Sequence, residues 1–167
     1  MIVLVRIDNR LLHGQILETW VPRLKIRRVV IADDEVASSS LARAAMTLCL
    51  PPELSAEALP VAQVDYAALA AASEPTLLLF RDVASLMRGV AAGLSPAMAR
   101  KVNLGNVHYT PGRRSVTPSV FLHGEEIAAL QGLEAAGFEV EARAVPSDAP
   151  AGAQQLARKY AAAAEKR

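Results

Sequence analysis

Short apolar runs alternate with longer amphipathic ones along the chain. Residues 2–6 (IVLVR), 28–32 (RVVIA), 60–64 (PVAQV), 76–80 (TLLLF) and 101–104 (KVNL) predict buried strands. Near-continuous apolar runs bounded by polar residues suit strands covered on both faces. Between them ILETWVPRL, the alanine-rich 37–48, DYAALAAA and VASLMRGVAAGL have helical composition. Such alternation predicts an α/β fold: an open, mostly parallel sheet of about six or seven strands with helices on both faces. SVTPSVFL contains Pro118 and predicts an edge strand or an irregular segment. A helix over GEEIAALQGLEAAG, a strand in FEVEARAV and a last helix from about 151 complete the pattern. Gly137 suits a helix stop, PSDAPAG (146–152) reads as a turn or short linker, and the charged end of QQLARKYAAAAEKR reads as a capping helix with a solvated face.

Composition narrows the function classes. The 167 residues suit one domain spanning 1–167. A net charge of +1 gives no global field toward nucleic acid or an anionic membrane, so any electrostatic function must be local. The single cysteine, Cys49, excludes an internal disulfide and a cysteine-rich metal cluster. No apolar run approaches the roughly 20 residues that span a bilayer. MIVLV runs straight into charged residues, unlike a signal peptide, and a cytoplasmic protein is expected.

The most informative stretch is RIDNRLLHGQ, residues 6–15, between the first strand and the first helix. A connection that only reversed direction would use Gly, Asn or Ser. This one carries two arginines, an aspartate and a histidine. In open α/β sheets ligands bind beyond the carboxyl ends of the strands, so this turn is where chemistry is expected. A helix beginning near residues 12–14 would face the loop with free N–H groups and the positive end of its dipole. Arg6 and Arg10 add two fixed positive charges, with planar forks suited to phosphate oxygens. His13 is then either a base or a nucleophile that accepts a phosphoryl group. The cationic setting favours the nucleophile, because it keeps a ring nitrogen unprotonated and stabilises the phosphate once attached.

Asp8 would repel that phosphate if it pointed inward, so it is expected to hold an arginine or orient the imidazole. Asp8, Asn9, Gly14 and Gln15 are the remaining loop positions expected to line the phosphate. Gly14 lets backbone approach a ligand or partner closely, and Gln15 can hydrogen-bond without adding charge. Taken singly, His13 could be a surface histidine at a helix start, Arg6 or Arg10 an ordinary ion-pair partner, and Asp8 an N-terminal cap.

Other signatures are missing. There is no GxxxxGK[ST], no GxGxxG after the first strand, and no HExxH or CxxC, so no nucleotide cofactor or metal is expected. NLGNVHYTPGRRS (103–115) places Asn103, Gly105, Asn106, His108, Arg113 and Arg114 at the end of a strand. It either walls the same site or is a polar turn. His108 reads as structural, His123 as incidental, Trp20 and Met46 as packing, and Cys49 as a small buried residue.

RIDNRLLHGQILETW resembles the opening of the IIB component of the mannose/fructose/sorbose class of the sugar phosphotransferase system. The resemblance continues through VVIADDEVASS, TLLLFRDVASLMRGV, VNLGNVHY and FEVEARAVPSD, and so runs over nearly the whole chain. Residues 43–59 keep only an approximate version of the family's segment. The resemblance implies that His13 is phosphorylated, at Nδ1, by a phosphohistidine of a IIA component, and passes the group to a sugar carried by membrane IIC/IID components. It implies a protein-phosphohistidine–sugar phosphotransferase, cytoplasmic and peripherally associated with its membrane partners. No IIA domain is seen in the sequence, so the donor is expected to be a separate chain. An arginine of the loop is expected to hold phosphate, and a homodimer is among the expected assemblies. The same loop would also serve a regulatory module of an incomplete phosphotransferase system without sugar transport, or a small-anion-binding domain without a covalent step.

Overall fold

A computed structural model describes residues 1–48 and 50–164. The chain runs through β1 (Ile2–Asp8), a π-helical turn (Ile16–Trp20) continuing into α1 (Val21–Leu24), β2 (Arg28–Ala32), α2 (Asp34–Ser38) and α3 (Ser40–Thr47). Next come β3 (Ser55–Leu59), a 3₁₀ turn (Val61–Gln63), α4 (Tyr66–Ala71), β4 (Thr76–Phe80), α5 (Val83–Ala91) and β5 (Lys101–Asn106). The last part holds β6 (Arg114–Thr117), β7 (Val120–Leu122), α6 (Gly124–Ala135), β8 (Glu139–Ala142), β9 (Ala151–Gly152) and α7 (Ala153–Ala164). Seven strands form one sheet in the order β3-β2-β4-β1-β5-β8-β9. All neighbours are parallel except the β8/β9 pair at one edge. The expected open, mostly parallel sheet is therefore present.

Apolar side chains on opposite sheet faces bury two cores. One gathers Val5, Ile7, Val30, Leu78, Phe80, Val102 and Leu104 with residues of α4 to α7. The other gathers Leu4, Ile16, Trp20, Val29, Ile31, Leu77 and Leu79. Leu77, Leu78, Leu79 and Phe80 are wholly buried, each worth about 1.5–3 kcal/mol relative to exposure. Strand alternation has a consequence in β1. Val5 and Ile7 join one core and Leu4 the other, so Arg6 and Asp8 share the face of Leu4.

Three expectations need correction. Residues 60–64 are not a strand: Pro60 cannot donate to a ladder, and Val61–Gln63 form a 3₁₀ turn. The strand lies just before it, at Ser55–Leu59, on the sheet edge and largely half-buried, so it lacks a continuous apolar run. Residues 151–152 pair with β8, and the last helix begins at Ala153. The Pro118 segment is a hairpin apart from the main sheet, with Pro118 in the turn between β6 and β7. Gly137 does end α6, at φ +103°. Cys49 lies outside the described residues.

The π turn has a local cause. Pro22 has no N–H to give the Glu18 carbonyl, and its ring crowds that carbonyl. The turn before it widens, and the Val21 N–H bonds the carbonyl of Ile16.

Candidate active site

The loop between β1 and the first helical run lies at the carboxyl end of a central strand, with β4 on one side and β5 on the other. Asp8 is its hub. Its side chain is wholly buried, and Oδ2 accepts from Arg6 Nη2 (2.9 Å) and Asn106 Nδ2 (3.2 Å) and lies 3.0 Å from His13 Nε2. Oδ1 accepts from the Arg10 backbone N–H at 3.1 Å. Burial alone would raise the Asp8 carboxyl. The His13 hydrogen bond, the Arg6 and His13 charges and the Arg10 N–H together hold it below the ordinary carboxylate value. An ionised Asp8 can only accept, so the proton of a neutral His13 ring sits on Nε2 and the lone pair on Nδ1. The His13 side chain is 16% exposed, so the ring is reachable from solvent.

Arg6 does not lie where the sequence reading put it. It is wholly buried. Nη1 donates to Asn103 Oδ1 (2.5 Å) and the Arg143 carbonyl (3.1 Å), and Nη2 to Asp8 and the Ala144 carbonyl (3.1 Å). The guanidinium carbon sits 5.3 Å from the centre of the Trp20 ring. Burial pulls the Arg6 guanidinium below its ordinary value against the attraction of Asp8. This arginine is spent on holding Asp8. The reason is its place on an inner strand, where β5 and the turn after β8 close over it.

Gly105 makes the fit possible: a Cβ there would stand 1.9 Å from Arg6 Nη2. Sequence reasoning named Asn103 only as a possible wall of the site and missed Arg143 and Ala144, because 97 to 138 residues separate Arg6 from these partners.

Arg10 is the arginine left available. Its side chain is 43% exposed, with Nε 3.8 Å from Asp8 Oδ1 and Nη2 3.3 Å from Gln15 Oε1. Nothing stands within 4 Å of where a Cβ on Gly14 would be, so the space beside the helix start is open. The helical run begins at Gly14, and its leading amides have no carbonyl one turn earlier to bond. The carbonyl of His13 accepts from Ile16 and Leu17.

Asn9 braces the loop. Its Nδ2 donates to the Arg81 carbonyl (2.7 Å), and its Oδ1 accepts from the His108 N–H. Arg81 in turn makes a two-point pair with Asp33, at 2.7 and 2.9 Å, tying the ends of β2 and β4 together. Leu11 adopts the left-handed region at φ +54°, at a cost of about 1–2 kcal/mol for a residue with a Cβ. Its burial at 1% exposure offsets that cost. Leu12 is also buried, so neither leucine offers exposed apolar surface to a partner.

The 103–115 loop divides. Asn103 and Asn106 belong to the cluster around Arg6 and Asp8. Arg113 pairs with Glu126 at 2.7 Å, and Arg114 lies over the Tyr160 ring at 4.4 Å. Tyr109 stands 59% exposed at its tip. His123 lies at the start of α6, its N–H bonded to Glu126. Among the described residues, no group of three or more His, Cys, Asp or Glu side chains could hold a metal ion. No described helix is long and apolar enough to cross a membrane.

The arrangement offers a partly exposed ring with a free electron pair on one nitrogen, a half-exposed guanidinium beside it and unpaired amides at a helix start. That is the equipment for accepting a phosphoryl group.

Comparison with known proteins points the same way. A family model described as "PTS system sorbose subfamily IIB component" matches residues 2–167. The PTS system mannose-specific EIIAB component of Escherichia coli (strain K12) is 31% identical over 147 residues. That alignment covers 87% of this chain and 45% of the relative, so the chain spans about half the relative's length. The PTS system fructose-specific EIIB component of Bacillus subtilis (strain 168) is 30% identical over 150 residues, 89% of this chain and 90% of that protein. The crystal structure of manxB from Thermoanaerobacter tengcongensis superposes with a TM-score of 0.83 at 27% identity, over 96% of each chain.

Proposed function

Because the chain belongs to the sorbose-subfamily IIB components of the phosphotransferase system, we propose that His13 carries the phosphoryl group, bonded at Nδ1. IIB components of this class act in sugar phosphotransfer, and the chain is a transferase of that system. The observation that carries the proposal is the contact between His13 Nε2 and the Asp8 carboxylate, which leaves Nδ1 as the nucleophile.

The donor is a phosphohistidine of a IIA component. The Nδ1 lone pair attacks phosphorus in line as the donor's P–N bond breaks, and the donor ring keeps that electron pair. Little covalent chemistry falls to the protein, so catalysis is positioning and charge stabilisation. Asp8 orients the ring and offsets the positive charge it bears when Nδ1 holds phosphorus and Nε2 a proton. Arg10 and the amides from Gly14 onward hold the phosphate oxygens, and Gln15 positions Arg10. Asn9 anchors the loop, and Arg6 fixes Asp8 from beneath.

In the second step a sugar hydroxyl, presented by membrane IIC/IID components, attacks phosphorus as the P–Nδ1 bond breaks; the ring keeps that electron pair and returns to neutral Nε2–H imidazole, and the hydroxyl proton is released to solvent. The similar proteins are named for mannose and for fructose, and the acceptor class is a sugar. Residues 1–167 act as one IIB domain at the cytoplasmic side of its membrane partners. The test is incubation with phosphoenolpyruvate, the general phosphocarriers and IIA, followed by mass spectrometry at alkaline pH. Wild-type protein should gain one acid-labile phosphoryl group, and His13→Ala should gain none. Label retained by His13→Ala would exclude the assignment.

A further inference from the structure

The turn after β8, residues 143–148, lies on the far side of Arg6 from the catalytic loop, yet the cluster beneath His13 closes on it. The Ala144 carbonyl accepts from two groups, Arg6 Nη2 and Trp20 Nε1, both at 3.1 Å. The Arg143 carbonyl accepts from Arg6 Nη1 (3.1 Å) and Asn103 Nδ2 (3.3 Å). Two adjacent carbonyls thus hold both ends of the guanidinium fork, and Trp20 covers its face. Trp20 comes from the π turn, so the widening before Pro22 sets the register that brings this ring against Arg6.

The turn has its own lock. Asp148 Oδ2 accepts from the backbone N–H groups of Ala144 (3.0 Å) and Val145 (3.1 Å), and the Asp148 N–H bonds the Val145 carbonyl (3.1 Å). Arg143 Nη1 adds a bond to the Pro146 carbonyl at 3.3 Å. Asp148 is exposed and touches no group of the catalytic loop through these bonds. Its effect on His13 must therefore pass through the carbonyls of Arg143 and Ala144, then Arg6, then Asp8.

We propose that Trp20 and the Asp148-locked turn are positioning elements for the catalytic ring, setting the orientation and tautomer of His13 through Arg6 and Asp8. The kinetic part of this inference rests on the phosphohistidine reading; the ring-nitrogen part does not. Arg6 is held on four hydrogen bonds, two of them to this turn. Loosening the turn lets the guanidinium shift and releases Asp8 from its fixed angle. The Nε2–H···carboxylate bond then loses its alignment, and Nδ1 is no longer the one nitrogen with a free pair.

The experiment uses the full chain with ¹⁵N-labelled histidine. Asp148→Ala removes both acceptor contacts, Asp148→Asn keeps an acceptor oxygen, and Trp20→Phe keeps an aromatic face but loses the N–H donor. In the unphosphorylated wild type, the His13 nitrogen shifts should report one dominant tautomer, protonated at Nε2. Asp148→Ala and Trp20→Phe should shift the ring toward a mixture, with Asp148→Asn close to wild type. With phosphorylated IIA as donor, kcat for Asp148→Ala should fall about 10- to 100-fold, the loss expected of a small misplacement. KM should stay within about twofold, because no donor contact is removed.

A folded Asp148→Ala protein with wild-type ring shifts overturns the proposal, and so does a fall in kcat without a change in the ring. Asp148 is on the surface, so this variant decides the matter even if Trp20→Phe does not fold. Label retained by His13→Ala would sink the phosphohistidine reading while leaving the ring-nitrogen comparison intact.

Discussion

Replacing Gly105 by Ala probes the buried cluster without touching any charged group. A Cβ at this position would lie 1.9 Å from Arg6 Nη2, 2.0 Å from Cζ and 2.5 Å from Nη1. Heavy atoms not bonded to each other settle at about 3.5–4.0 Å, so the guanidinium must move by more than an ångström. Backbone strain does not enter, because Gly105 is not among the residues with positive φ. The guanidinium has nowhere cheap to go, with Asn103, Asp8 and the carbonyls of Arg143 and Ala144 taking the donors of both Nη atoms and Trp20 covering its face. Displacing it separates a buried ion pair, which costs about 3–5 kcal/mol. For a chain of this length that lowers Tm by roughly 6–20 °C.

Urea denaturation followed by fluorescence of the single tryptophan, which covers Arg6, measures the loss directly. A double-mutant cycle sharpens it. In an Arg6→Ala background the atom that Gly105→Ala strikes is absent, so the second substitution should cost less than about 1 kcal/mol. A Gly105→Ala protein that loses less than about 1 kcal/mol on its own, or losses that simply add in the cycle, would refute the packing argument.

Arg10→Ala should slow phosphoryl transfer about 100- to 1,000-fold, as for a lost oxyanion donor, and leave stability within about 0.5 kcal/mol because the side chain is half-exposed; single-turnover transfer from phosphorylated IIA and urea melts check the two halves. Asp8→Asn should destabilise by about 3–5 kcal/mol, since it leaves Arg6 charged and buried without a counter-ion, and should abolish the preference for the Nε2–H ring seen by ¹⁵N NMR. Acid should act through Asp8 and Asp33. Burial raises both, but hydrogen bonds and ion pairs with His13 and Arg6, and with Arg81 and the Val36 N–H, hold both below the ordinary value. Their stabilisation is complete above the unfolded carboxylate value of about 4 and disappears as pH falls through the folded values. Tm should therefore hold steady above about pH 5 and drop below about pH 4, with a shallower drop in Asp33→Asn.

Much of the architecture is legible in the sequence, because a buried parallel strand announces itself. RVVIA and TLLLF are continuous apolar runs, and both are strands at the predicted positions. SAEAL is not such a run: half-exposed on the edge, it alternates alanine with glutamate, and the apolar content of PVAQV drew attention past it. The candidate loop stands out by position, since the turn after a central strand is a known place for ligands. The division of labour among its residues does not. Arg6 and Arg10 look equivalent in the string, yet one lies within β1, wholly buried, while the other stands in the turn, half-exposed.

Strand alternation alone could have put Arg6 beside Leu4 and Asp8 on an inner face. Its partners, at Asn103, Arg143 and Ala144, depend on which strands become neighbours, and no local pattern carries that information. Leu11 misleads for a related reason: it looks like a surface residue in a polar loop, but a left-handed backbone turns it into the core.

The most direct test of the central claim is where phosphorus is attached. The ¹⁵N-histidine protein, phosphorylated by IIA and held at alkaline pH, should show ³¹P–¹⁵N coupling to a single ring nitrogen, Nδ1 of His13, with Nε2 still protonated and facing Asp8. Coupling to Nε2, or to a nitrogen of His108 or His123, would contradict the account.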